Sequence, residues 1–384
     1  MGNRIYERAQ MIHLQIRNYS ELYRIRIFIV QIWWSLLDGR AHCDDCGLAQ
    51  AEASHSIVSK PKTAQTKDTM FGTRHWIADG GLASTLQNLG YSVDGDPLWS
   101  ARLLATDPNA IKRVHKTFLE AKADMVTTAS YQASISGFVK HLSITDEEAV
   151  KLMTLSVSLA REAVNEYCRE NQKEGEKPLV VGSVGPYGAC QADGSEYTGD
   201  YVSKMTEEQL KVWHRPRMTA LVDAGVDLLA IETIPALKEA LAVLRLLKEF
   251  PGMKAWVTFS CRDGQRTNFG DPFGEAARKC HEEAPDQLAA VGVNCSPPQH
   301  VSSLLKEANV TLPAPEVLPR VVYPNSGEEW VAGKGWEGRS TEWSYVTEVP
   351  SWLRLGATVV GGCCRIGPAD IRDIASIVAK SPSL

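Results

Sequence analysis

Three cysteines in the C-terminal third of the chain carry its most specific chemistry. Cys295 closes the apolar run LAAVGVNC (288–295), and Cys363 and Cys364 follow ATVVGG (357–362). Zinc takes tetrahedral sulfur and nitrogen ligands and keeps one position open in catalytic sites, so three protein thiolates leave a single place for a substrate atom. Soft thiolates suit a soft fourth ligand, a thiol. A thiol held there is a thiolate at neutral pH, well below its ordinary pKa of about 8.5, and is poised to attack an electrophilic carbon. Two other readings stand beside this one. Free cysteines are common small core residues, and a vicinal Cys363–Cys364 disulfide would describe a damaged, metal-free state. Adjacent residues of a regular strand point to opposite faces, so both thiols reach one metal only where the chain leaves extended geometry. Gly361-Gly362 is expected to supply that freedom. The nine histidines are scattered, with neither His-Glu-x-x-His nor His-x-His among them. The common nitrogen-ligated hydrolytic sites are therefore excluded.

The elements that must position these cysteines show in the pattern from His75 onward: a short apolar run, a polar or Gly-rich turn, then a longer amphipathic stretch. The runs are 75–79, 124–128, 178–183, 227–233, 254–260, 288–295, 319–324 and 357–362. They are mostly continuous rather than alternating, as parallel strands buried on both faces require. Helical stretches fall between them, at Asp146–Glu170, Thr206–Ala224 and Ala236–Phe250. Eight such units over 71–384 fit one (β/α)8 barrel, an α/β fold; a doubly wound sheet is the alternative and normally needs fewer strands. Barrel enzymes build their sites at the carboxyl ends of the strands. Polar and reactive residues cluster where the runs stop: Asp79, Thr128, Gly185, Glu232, Ser260, Cys295, Asn325 and Cys363–Cys364.

Composition limits the classes of partner. With 41 basic against 46 acidic residues and a net charge of -5, the chain lacks the excess of positive charge that nucleic acid requires. No run reaches the roughly 18–20 apolar residues of a membrane span; the longest candidate, 27–37, is shorter and interrupted by Gln31. Nine cysteines, odd in number and sparse, do not make a secreted disulfide framework, which points to a reducing compartment, by default the cytoplasm. Residues 1–70 read as an N-terminal extension outside the barrel, either a targeting segment or a mis-assigned start, since Met70 directly precedes the first run. Cys43-Asp-Asp-Cys46 within it has metal-ligand spacing but no second pair nearby, and reads as incidental. Gly182-x-x-Gly185-x-x-Gly188 has the wrong spacing for a dinucleotide loop. The charged loop 327–342 reads as a lid or rim insertion, or as plain solvated surface.

At this point the motifs resemble the zinc-dependent homocysteine S-methyltransferase family over roughly residues 75–380. They are ADGGLASTLQNLG (78–90), TTASYQAS (127–134), GSVGPYGACQADGSEYTGDY (182–201), AIETIP (230–235), GVNCSPP (292–298), YPNSGE (323–328) and VVGGCCR (359–365). The resemblance implies a Zn2+ cofactor on Cys295, Cys363 and Cys364, with Glu232 holding the homocysteine amino group. It also places Asp79 at the end of the first strand, near substrate or donor, and Gly80 and Gly81 where backbone approaches a ligand. Thr128, Ser260, Asn294 and Asn325 are the remaining expected substrate-binding residues. The 182–201 segment is similar to the branch using S-methylmethionine, with S-adenosylmethionine also admitted. A betaine-type donor on the same barrel, or a non-catalytic zinc-binding barrel, remain as alternatives. Tyr131, Tyr187 and Tyr323 are candidates to face a sulfonium cation. Ser84, Gln87 and Ile366-Gly367 depart from the family's more usual residues without touching a proposed ligand. The implied partners are the two small molecules, with no nucleic acid and no membrane, for a monomer or small homo-oligomer.

Overall fold

The computed structural model describes residues 70–381, apart from 73, 174, 316, 332–334 and 338–343. Residues 1–69 of the expected extension, with Cys43 and Cys46, lie outside the described residues.

Each apolar run folds as a strand. In chain order these are β1 (Trp76–Ile77), β2 (Met125–Thr127), β3 (Leu179–Val184), β4 (Leu228–Ile234), β5 (Ala255–Phe259), β6 (Leu288–Asn294) and β7 (Arg320–Tyr323). A short antiparallel hairpin follows, β8 (Glu329–Val331) with β9 (Gly335–Glu337), inside the charged loop. The eighth barrel strand is β10 (Ala357–Val360). The eight pair in parallel in the order β1-β10-β7-β6-β5-β4-β3-β2. Helices connect them, so the architecture is a (β/α)8 TIM barrel.

The seam between β1 and β2 is closed by two aspartates rather than by a regular ladder. Below, Asp124 N donates to Ile77 O (2.7 Å) and Asp124 Oδ2 accepts from Ile77 N (2.9 Å). Above, Asp79 Oδ2 accepts from Thr127 N (2.8 Å).

Alternation along each strand divides the core in two, because successive side chains point to opposite faces. Trp76, Met125, Val181, Leu228, Ala230 and Trp256 meet one another inside the barrel, with Phe71 packed against them. Ile77, Val126, Val180, Leu229 and Val257 face outward into the larger layer under the helices. Both faces are apolar, which is why the runs read as continuous.

The helix Asp146–Glu170 has the bounds expected of it, set by a capping box in which Thr145 and Glu148 satisfy each other's backbone N–H. Thr206 and Gln209 start Glu207–Asp223 in the same way, and the third expected helix runs over Leu237–Leu247. Among the described residues no helix is long and apolar enough to cross a membrane.

Candidate active site

The ends of β6 and β10 bring the three cysteines together. Cys295 follows β6 directly and turns into a left-handed conformation (φ +45°), its N–H donating to Tyr323 O at 3.1 Å. After β10 the chain leaves the sheet, with Cys363 N donating to Pro324 O (2.9 Å) and Ile366 N to Cys363 O (3.1 Å). The sulfurs of Cys295 and Cys364 are 3.6 Å apart and those of Cys363 and Cys364 are 4.0 Å apart. All three lie within 4.8 Å of one another. Sulfurs around a tetrahedral ion with bonds of about 2.3 Å stand about 3.8 Å apart, so the group is close to the spacing a metal requires.

The two glycines before the cysteines act differently from expectation. Neither takes a positive φ; the left-handed residue of this turn is Arg365 (φ +68°). They are required for space. A Cβ on Gly361 would meet Ala78 Cβ at 2.8 Å, and one on Gly362 would meet Ile366 Cγ2 at 2.1 Å.

The thiols interact strongly even without an ion. Hydrogen bonds from Cys363 and Cys364 hold the Cys295 thiol well below its ordinary pKa, while the Cys363 and Cys364 thiols are pushed up by the same contact. Three thiolates this close, two of them buried, need a cation among them, which is what this donor set is chemically suited to hold.

The sulfurs open onto a cavity of about 400 Å³ lined by Asp79, Gly80, Gly81, Thr128 and Glu232, so these expected residues converge on one space. That volume is within the range of small-molecule sites. Glu232 accepts from Ser183 Oγ, and burial pushes its carboxyl up to about 7 against hydrogen bonds from Ser183 and Tyr323. Burial likewise raises Asp79 to about 7, although Thr127 donates both its N–H (2.8 Å) and its hydroxyl (3.0 Å) to that carboxylate.

Ser260, Asn294 and Asn325 stand outside the cavity lining and bind backbone instead. Asn294 Oδ1 accepts from Thr233 N (2.7 Å) and its Nδ2 donates to Thr233 Oγ1 (2.8 Å), fixing Thr233 in a left-handed turn (φ +58°) next to Glu232. Ser260 Oγ reaches Glu196 O and Thr233 O, each at 3.4 Å. Asn325 Oδ1 accepts from Gly327 N at 2.9 Å. Tyr131 and Tyr323 line the cavity, whereas Tyr187 packs against Tyr201 and Trp213.

Sequence reasoning assigned no role to Glu196 or Tyr197, which line the same cavity from the segment after β3. Tyr197 is 39% exposed overall, yet its hydroxyl lies 3.4 Å from Cys295 Sγ. Burial raises the Glu196 carboxyl to about 7, with the Cys295 charge adding to the effect. The signal for both was membership of the 182–201 segment, which begins at a strand end and carries part of the family resemblance.

Residues 76–378 match the family model described as homocysteine S-methyltransferase. The chain belongs to this family. It is 44% identical to the homocysteine S-methyltransferase YbgG of Bacillus subtilis over 303 residues, 78% of this chain and 93% of that protein. It is 43% identical to a betaine-homocysteine S-methyltransferase of Drosophila melanogaster over 309 residues, 78% of this chain and 92% of that one. Among solved structures it is similar to the metallated form of the homocysteine methyltransferase MmuM from Escherichia coli. That likeness has a TM-score of 0.69 at 38% identity and covers 80% of this chain and 96% of that one. As a homocysteine S-methyltransferase family member the chain is an enzyme, and its chemistry is methyl transfer to homocysteine.

Proposed function

We propose that the enzyme transfers a methyl group from S-methylmethionine, or from S-adenosylmethionine, to the thiolate of L-homocysteine, with Zn2+ on Cys295, Cys363 and Cys364. One observation carries this reading: three sulfurs at near-tetrahedral spacing open onto the cavity that also holds Glu232. A zinc ion bound there would supply a Lewis acid that keeps the substrate thiol deprotonated at neutral pH. That the Escherichia coli relative has a metallated form supports a metal on this barrel.

The chain's own residues supply the rest. Glu232 holds the homocysteine ammonium, and that positive charge beside the carboxylate offsets the desolvation that otherwise raises its pKa. Asn294 positions Glu232 indirectly by locking the Thr233 turn. Gly80, Gly81 and Thr128 form cavity wall on the side of β1 and β2, close to Asp79. The homocysteine sulfur forms a bond to the methyl carbon as the bond from that carbon to the donor sulfur breaks, its electron pair staying on the donor. A thiolate and a sulfonium become two neutral thioethers, and no proton is transferred in the step. Alignment of the two sulfurs and exclusion of water provide the acceleration. Tyr131, Tyr323 and Trp256 give the cavity aromatic walls suited to a sulfonium. A reducing compartment such as the cytoplasm keeps the three thiols available as ligands.

The Drosophila relative, named for betaine, makes that donor the rival reading. The test is an assay of the zinc-loaded enzyme with homocysteine and each donor in turn, measuring methionine. The expected result is a higher kcat/KM for S-methylmethionine than for betaine. Preference for betaine overturns the donor, and no methionine from any donor at full zinc occupancy overturns the reaction.

A further inference from the structure

Two amino-acid substrates bring two ammonium groups into one cavity, and each needs a carboxylate. Glu232 serves the first. Asp79 is a poor second, because Thr127 donates to both of its oxygens. Of the other acids in the lining, Asp96 is paired with Arg102 (2.7 Å) and Asp94 accepts from Gln87 Nε2 (2.7 Å), which leaves Glu196, whose Oε2 is buried and meets no hydrogen-bond donor of another described residue. A buried carboxylate oxygen without a donor is costly unless a ligand supplies one.

The segment that carries Glu196 is built to hold it still. Tyr187 N (2.7 Å) and the Tyr201 hydroxyl both donate to the buried Glu239 carboxylate, which also contacts His214 Nε2 at 2.9 Å. Both ends of the 187–201 excursion are thus tied to one side chain. Between them the backbone folds back over Gly188, where a Cβ would lie 2.7 Å from Glu196 N and 2.8 Å from Ser195 C. Ser260 Oγ reaches the Glu196 carbonyl, and the neighbouring Tyr197 hydroxyl touches Cys295 Sγ. Glu196 therefore faces the cysteine group from the loop side, while Glu232 approaches it from the strand side.

We propose that Glu196 recognises the α-ammonium of an amino-acid sulfonium donor, and so determines which class of methyl donor the enzyme accepts. This rests on the sulfonium reading given above. The contact is to a spectator charge: the donor ammonium is present before and after transfer, so the carboxylate binds the donor without opposing loss of charge at its sulfur. A trialkylammonium donor has no N–H to offer and gains nothing from this acid.

The experiment compares the zinc-loaded enzyme with Glu196→Gln, using S-methylmethionine and an analogue in which the α-ammonium is replaced by hydrogen. A charge-assisted hydrogen bond of this kind predicts a rise of about 10- to 100-fold in KM for S-methylmethionine in the variant. Zinc content, KM for homocysteine and activity on the des-amino donor are expected to match the unaltered enzyme. A variant that loses equally on both donors, that binds homocysteine more weakly, or that keeps its KM for S-methylmethionine overturns the assignment alone. An unaltered enzyme that does not use S-methylmethionine overturns the donor reading, and the role of Glu196 with it.

Discussion

Replacing Asp79 by Asn separates the electrostatic cost of this acid from its part in closing the barrel. Asn can keep the seam, with Oδ1 accepting from Thr127 N and Nδ2 donating to Thr127 Oγ1, in place of the contacts now made by the carboxylate. What the substitution removes is the buried charge. The Asp79 carboxyl rises from an ordinary 3.8 to about 7, chiefly because burial penalises the ionised form. Since the folded-state pKa is the higher one, Asp79's contribution to stability is fully present below about 3.8 and is lost as pH rises through about 7. At about 1.4 kcal/mol per pH unit, the ionised group costs the substrate-free fold about 4 kcal/mol at pH 8. The advantage of Asp79→Asn is therefore expected to grow by about 2.5 kcal/mol between pH 5 and pH 8. Denaturant melts of the metal-free, substrate-free protein at several pH values measure it directly. An advantage that is flat with pH, or a variant less stable than the parent at pH 8, refutes the reasoning.

Two further substitutions test the metal group. Cys364→Ala removes the sulfur that lies 3.6 Å from one partner and 4.0 Å from the other. Loss of a mere outer-shell partner weakens metal binding by 10- to 100-fold, so loss of this ligand is expected to exceed about 100-fold and to abolish turnover; zinc quantification after dialysis checks it, and activity retained without metal contradicts the mechanism. Gly362→Ala forces a Cβ to within 2.1 Å of Ile366 Cγ2, so the turn carrying Cys363 and Cys364 must move. Metal retention is expected to fall although every ligand is present, and unchanged zinc content would show that the turn yields elsewhere.

How much of this was legible follows from what each feature depends on. The eight strands were readable because strands buried on both faces leave unbroken apolar runs, and β4 illustrates it with all seven residues buried. Asp146–Glu170 was readable to its first residue because Thr145 and Glu148 are a local signal. Glu232 and the three cysteines were readable because run ends in a barrel share a rim. Asn294 shows the limit of that rule: it ends β6, but its amide is taken up by Thr233 of β4, two strands away, and it stands outside the cavity lining. Glu196 and Tyr197 were out of reach for another reason. Their placement depends on Gly188 packing beneath Glu196 and on Glu239, some forty residues away in the chain, tying down Tyr187 and Tyr201. Gly361 and Gly362 were correctly tied to the cysteine turn for the wrong cause, since the required property is the missing Cβ and not a left-handed φ.

The charge balance of the cavity gives the reaction a direction. Among its described lining residues there is no Lys, Arg or His, while Asp79, Glu196 and Glu232 are all held near a pKa of 7 by burial. On the proposed reading, the cations that enter the cavity are ligands: the metal, two ammonium groups and the sulfonium. Each one that binds beside an acid would favour its ionised form. Methyl transfer from a sulfonium would then annihilate one pair, the thiolate and the sulfonium, in a wall of low polarity where that pair interacts strongly. The products of that reaction would keep their ammonium contacts but carry neutral thioether sulfurs, which are weaker metal ligands than a thiolate and offer no charge to the aromatic wall. The same electrostatics that collect the substrates would thus cease to hold the products at the reacting centre.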